Sequence, residues 1–148
     1  MSWLLERPAK RDEILALRPE LALAHRRLIN AIWQSQVPPE TLELCRLRMA
    51  QLLRSQLALS ERSAPENAQL SEGRIGQLSQ WPTDPLYSAD ERTCLEFTEL
   101  FVIDPHAISD ELAARVRAVL GDAGMVGLTT ALAVWENQHR LDTILEAA

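Results

Sequence analysis

Apolar residues in this chain recur at spacings of three and four, and no segment shows sustained apolar–polar alternation. That period builds amphipathic helices and leaves nothing to build strands from. Asn-Gly and Asp-Gly hairpin signals are also absent. The chain is therefore read as all-α, with about six to eight helices. A short first helix is expected from about Ala9 to Leu17. Pro19 suits the first turn of the next. Leu21, Ala24, Leu28 and Ile32 share one face of it, expected to point inward. Val37-Pro38-Pro39 breaks that helix and starts a third, expected from about Pro39 to Leu59, with Leu42, Cys45, Met49, Leu52 and Leu53 on its apolar side. Ser63 to Glu66 has capping-box spacing and predicts a short helix; another follows at Glu72 to Leu78.

Gln80 to Tyr87 reads as a loop, marked by Trp81-Pro82 and Asp84-Pro85. Ser88 to Glu91 is a second capping box and opens a helix through Val102, with Leu95, Thr98 and Phe101 or Val102 inward. Asp104-Pro105 ends it. Ser109 caps the next helix, whose apolar side is Leu112, Val116 and Val119 or Leu120. Gly121 reads as its stop. The last helix spans about Ala123 to Leu145, with Met125, Leu128, Leu132, Trp135 and His139 on one stripe. Linkers are short and no repeat is visible, so residues 1–148 are expected to form one domain.

A chain of 148 residues, 47% of them hydrophobic, can bury about 70% of its unfolded surface. Its net charge of −6 is the wrong sign for a nucleic-acid footprint. No apolar run approaches the roughly 20 residues of a membrane span. MSWLLERPAKRDE lacks the apolar segment of a secretory signal. Cys45 and Cys94 are the two cysteines. Too few for a disulfide framework, they fall on helical apolar stripes and read as reduced packing residues of a cytoplasmic protein. His25, His106 and His139 have no paired metal-ligand spacing, so neither a metal nor a cofactor is expected.

The stretch from Glu40 to Leu78, ETLELCRLRMAQLLRSQLALSERSAPENAQLSEGRIGQL, resembles the core of the carboxymuconolactone decarboxylase / alkylhydroperoxidase-D superfamily. There an acidic residue precedes Leu-x-Arg-x-Ala-Gln, followed by a Cys-x-x-Cys-x-x-x-His site and a second helix. In register with Arg48 and Gln51, the acid falls on Glu43, the two cysteines on Ser55 and Ala58, and the histidine on Arg62. Trp81 to Phe101 is similar to the family's loop and following helix. Trp135 to Leu141 is similar to its Asn-x-x-Asn-Arg-Leu segment, with Glu136 and His139 where asparagines are usual. The resemblance covers about residues 20 to 148. It implies an alkylhydroperoxidase-D-like helical domain whose redox site is degenerate.

Each candidate carries two readings. The resemblance implies that an acid at Glu43 relays protons; otherwise Glu43 is an ion-pair partner for Arg46, Arg48 or Arg62. Ser55 would need a base to become a nucleophile, and Arg62 cannot supply one. Arg62 could grip a carboxylate or phosphate through its fork, or lie solvated beside Glu61 and Glu66. His139 is a second candidate proton carrier or a packing histidine. Trp33, Trp81 and Trp135 could line a pocket or the core. Arg46, Arg48 and Arg54 read as a solvated face balanced by Glu40 and Glu43.

Two functions follow. One is a non-peroxidase ligand-binding or interaction protein, with a small anionic ligand as partner. The other is an acid–base lyase or isomerase of the carboxymuconolactone decarboxylase type, using Glu43 or His139 on a small anionic substrate held by Arg62. The lyase requires Glu43, Arg62 and His139 to converge on one pocket. The family also implies assembly as a dimer, trimer or hexamer. Leu52, Leu53, Leu57 and Leu59 leave the third helix apolar on more than one side, which points the same way.

Overall fold

A computed structural model describes residues 3–148. Its helices are α1 (Arg11–Leu15), α2 (Pro19–Trp33), α3 (Pro39–Leu52), α4 (Gln56–Ser60), α5 (Glu72–Gly76), α6 (Ala89–Ile103) and α7 (Asp110–Ile144), with short 3-10 turns at Glu66–Ala68, Leu78–Gln80 and Pro105–Ala107. Among the described residues there is no strand; Ala9 and Ala147 form one isolated bridge that holds the two ends of the chain together.

Helix α3 is the axis, with α6 and α7 packed against it and α4 beyond its end. Leu42, Leu44, Cys45, Leu47, Met49 and Ala50 are all buried, as are Glu43 and Arg46. A helix hidden on every side belongs in the middle of a bundle. Leu52, Leu53, Leu57 and Leu59, the apolar sides that pointed to an oligomer, are half-buried.

Helix α3 stops seven residues before the expected Leu59, and the cause is local. Arg54 takes a left-handed conformation (φ 55). Its amide donates to the Gln51 carbonyl, and the Ser55 amide donates to the Ala50 carbonyl. This pair of bonds is the Schellman termination. Ser55 then caps α4, its Oγ accepting from the Ala58 amide at 3.2 Å.

The serine caps behave as read at two sites: Ser88 accepts from the Glu91 amide and Ser109 from the Leu112 amide. The Ser63–Glu66 box does not form. A 3-10 turn starts there without a side-chain cap, and the Ser63 amide that the box would pair with Glu66 donates to Glu43, as does that of Ala64. Gly121 (φ 72, ψ 174) is non-helical and splits Asp110–Ile144 into two helices that meet at a kink, the stop its position predicts. Its positive φ is what glycine tolerates.

The inward face of α2 is rotated from the expected stripe, of which Ile32 alone is buried. Leu21 and Leu28 are 55% and 41% exposed, and the inward face is His25, Ile29, Ile32 and Trp33. Trp33 meets Trp135 of α7 with ring centroids 6.1 Å apart. Helix α2 touches the rest of the protein through α1 and α7, so most of its length lies outside the main core.

Helix α7 holds a window of mean hydropathy 1.5, long and apolar enough by length and composition to cross a bilayer, where no such run was expected; a third of it is buried in the protein. Leu128, Ala131 and Leu132 of that helix sit fully within the core.

Candidate functional site

The turn between α3 and α4 sets Ser55 and Ala58 beside the C-terminal part of α7. Together with Arg46, Trp135, Gln138, His139 and Asp142 they line a small cavity of about 20 Å³, the size of one water molecule. Ser55 is buried, and its hydroxyl is engaged as the helix cap. The Nδ1 atom of His139 is buried without a hydrogen-bond partner among the described residues.

Glu43 lies behind this cavity and is 1% exposed. One carboxylate oxygen accepts from Arg46 Nε, the other from the Ser63 and Ala64 amides. Arg46 in turn donates to the carbonyls of Ala58 and Glu61, both at 2.8 Å. Burial pulls the Arg46 pKa down, and Glu43 opposes that pull. A charged pair this deep is tolerated because nearly every donor and acceptor is matched. Arg46 is thus a core residue, contrary to the solvated face expected for it. Arg48 is also committed, to Glu99 at 2.7 Å, an oxygen that Trp81 Nε1 shares.

Arg62 does not join this cavity. It lies at the surface, bonded to Glu72 through two guanidinium nitrogens at 3.1 Å, and that bond raises its pKa. The three groups that the lyase reading needs therefore do not meet: Glu43 is clamped within the core, His139 faces the small cavity, and Arg62 opens elsewhere.

Where Arg62 does open is a cleft of about 420 Å³ between α1, α2, residues 61–63 and α7. Arg11, Arg26 and Arg62 share it with Asp12, Glu61 and His25. Arg11 is anchored by Asp142, with bonds of 2.7 and 2.6 Å, and by Glu61 at 3.3 Å. Burial works to lower the Arg11 pKa, but the Asp142 and Glu61 carboxylates outweigh it and raise it. In the amide orientation that suits its neighbours, Gln138 donates to His25 Nε2 and accepts from Arg11. Arg26 makes no ion pair or side-chain hydrogen bond among the described residues. This volume falls in the usual range of ligand sites.

Sequence reasoning had passed over Arg11, Arg26, Gln138 and Asp142, and had weighed His25 only as a metal ligand. Arg11 and Asp142 are 131 positions apart, so no local spacing links them. A weak signal lay in α2, where His25, Arg26, Ile29 and Asn30 form a mixed stripe at helical spacing alongside the leucines.

The two thiols are buried and free. Burial pushes the Cys94 pKa up to about 12 and Cys45 higher still. Among the described residues no cluster of three His, Cys, Asp or Glu side chains could hold a metal ion.

No family model and no curated protein matches this chain. A solved structure does. It is a protein of unknown function from Agrobacterium tumefaciens, proposed to be the antioxidant defence protein AhpD. It superposes with a TM-score of 0.78 at 21% identity, over 91% of this chain and 94% of that one. At that identity the likeness speaks for the fold. This chain has an all-α, AhpD-like fold.

Proposed function

We propose that this protein is a degenerate member of the alkylhydroperoxidase-D-like group that binds a small carboxylate-bearing ligand without thiol redox chemistry. The observation that carries the reading is the 420 Å³ cleft, lined by Arg26, whose guanidinium has no ion-pair partner among the described residues, and by Arg62, whose fork is held by Glu72. Guanidinium forks suit carboxylates. The old redox positions support the other half. A thiol peroxidase needs an attacking and a resolving cysteine. Ser55 offers a hydroxyl already used as a cap, and Ala58 offers a methyl group. Glu43 accepts three hydrogen bonds, from Arg46 and from the Ser63 and Ala64 amides, and is bonded in place away from Ser55. The same commitment weighs against the lyase reading.

Two measurements test this. Supplied with a dithiol donor, the native protein should not consume hydrogen peroxide or an alkyl hydroperoxide; clear turnover removes the non-redox half. Titration calorimetry with 4-methylpentanoate should show binding that weakens in Arg26→Gln and Arg62→Gln. Binding unaffected by either change removes the cleft.

Self-association of this protein, as a dimer, trimer or hexamer, belongs to the same reading. The surface on offer is the stripe of Leu17, Leu21 and Leu28, 51%, 55% and 41% exposed. Light scattering at micromolar concentration should give a multiple of 16.6 kDa, and a monomer mass removes this claim. A cytoplasmic location also remains part of the proposal, supported by two free buried thiols.

A further inference from the structure

We propose that the ligand of the cleft is a zwitterionic α-amino acid with a short aliphatic side chain. This rests on the carboxylate-binding reading above and adds the rest of the molecule. The starting point is a pair of opposite charges left apart. Asp12 of α1 and Arg26 of α2 both line the large cleft, and both also line an adjoining hollow of about 150 Å³. They stand on the rim between the two spaces. Neither side chain makes an ion pair or hydrogen bond among the described residues, with the other or with a third group. The neighbouring charges behave differently: Arg11, Glu61 and Arg62 all have partners.

A ligand that fits such a rim carries both signs close together. A carboxylate alone would meet Arg26 favourably but would face Asp12 and Glu61 in the same cleft, a like-charge cost. An amine alone would meet Asp12 but would face Arg26, Arg11 and Arg62. An α-amino acid has its ammonium and carboxylate on one carbon. Its carboxylate accepts from Arg26, and its ammonium donates to Asp12. The side chain is set by the hollow. Apart from the rim residues and His25, its wall is Leu15, Ala16 and Ala22, a surface suited to a few methyl and methylene groups. A third charge has no counterpart there.

Titration calorimetry on the full chain with four probes separates these contributions. L-leucine has all three features. Glycine lacks the aliphatic chain, 4-methylpentanoate the ammonium, and 3-methylbutylamine the carboxylate. L-leucine is expected to bind, with each of the other three at least tenfold weaker. In Asp12→Asn the preference for L-leucine over 4-methylpentanoate should fall to within about threefold. In Arg26→Gln both should weaken. Both side chains are exposed, so each variant should keep the native unfolding temperature, which is measured alongside. If 4-methylpentanoate binds native protein as well as L-leucine does, the zwitterion is wrong while carboxylate binding stands. If L-leucine binds but Asp12→Asn keeps the full preference, the rim is wrong. If neither L-leucine nor 4-methylpentanoate binds, both readings fail together.

Discussion

Replacing Glu43 by glutamine tests how much of this fold hangs on one buried carboxylate. The side chain is 1% exposed, and its partner Arg46 is 4% exposed. Glutamine keeps the shape and loses the charge. It also has one acceptor oxygen where glutamate has two. With that oxygen toward the loop, the Ser63 and Ala64 amides stay bonded, but the new NH₂ group faces Arg46 Nε–H, donor against donor. With the amide turned over, Arg46 keeps a bond and the two backbone amides lose theirs. In both orientations a buried guanidinium loses its counter-charge. Breaking one side of such a pair costs about 3–5 kcal/mol. The carbonyls of Ala58 and Glu61 still hold Arg46, which favours the lower end. At about 2–4 °C per kcal/mol for a chain of this size, the melting temperature should drop by roughly 10 °C. Urea unfolding followed by circular dichroism measures the free energy. Adding Arg46→Met to Glu43→Leu should recover part of the loss, since the pair is then removed whole. A loss under about 1 kcal/mol for Glu43→Gln would refute the clamp.

Other outcomes follow from the same geometry. Arg54→Gly should stabilise the protein by about 1 kcal/mol, because it relieves a left-handed arginine at an exposed position; a loss in urea unfolding contradicts that. Both thiols titrate higher in the folded protein than the ordinary 9.0. Their contribution to stability is therefore complete below pH 9 and is lost as pH rises from there toward the folded values, by about 1.4 kcal/mol per pH unit and thiol. Cys94→Ala should flatten that alkaline slope, and an unchanged slope assigns it elsewhere. Thiol reagents should label native Cys45 and Cys94 slowly, and a native disulfide between them overturns the packing role. Finally, Ser55→Cys with Ala58→Cys and Arg62→His should create a disulfide visible by mass spectrometry. Peroxide turnover should stay poor, because Arg46 still holds Glu43 and residue 62 points to Glu72; a folded variant without the disulfide counts against the alignment on Arg48 and Gln51.

Helix starts were legible because their signals are local. Pro19, Pro39, Ser88 and Ser109 each act within one turn of where they stand. The end of α3 was not legible, because its left-handed residue is an arginine and the motif normally announces itself by glycine. The inward face of α2 was misjudged because an apolar stripe states what would gain from burial, without naming a neighbour to cover it. At the candidate site, Glu43 and Ser55 could be aligned and the Glu43–Arg46 pair was among the readings, but the remaining commitments were not legible. The bond partners of Glu43 include amides 20 and 21 residues away, in a segment whose own signals promised a helix. The cleft was the least legible part, since it is assembled from α1, α2, the turn after α4 and the far end of α7.

The clamp on residues 63 and 64 has a kinetic consequence. Their amides belong to no helix, and those of such a connecting segment ordinarily exchange fast with solvent deuterium. Here both are bonded to a buried carboxylate rooted in the central helix, so they exchange only when that clamp breaks. Their exchange should follow the slow rhythm of the α3 amides, leaving two protected positions in an otherwise quickly exchanging stretch.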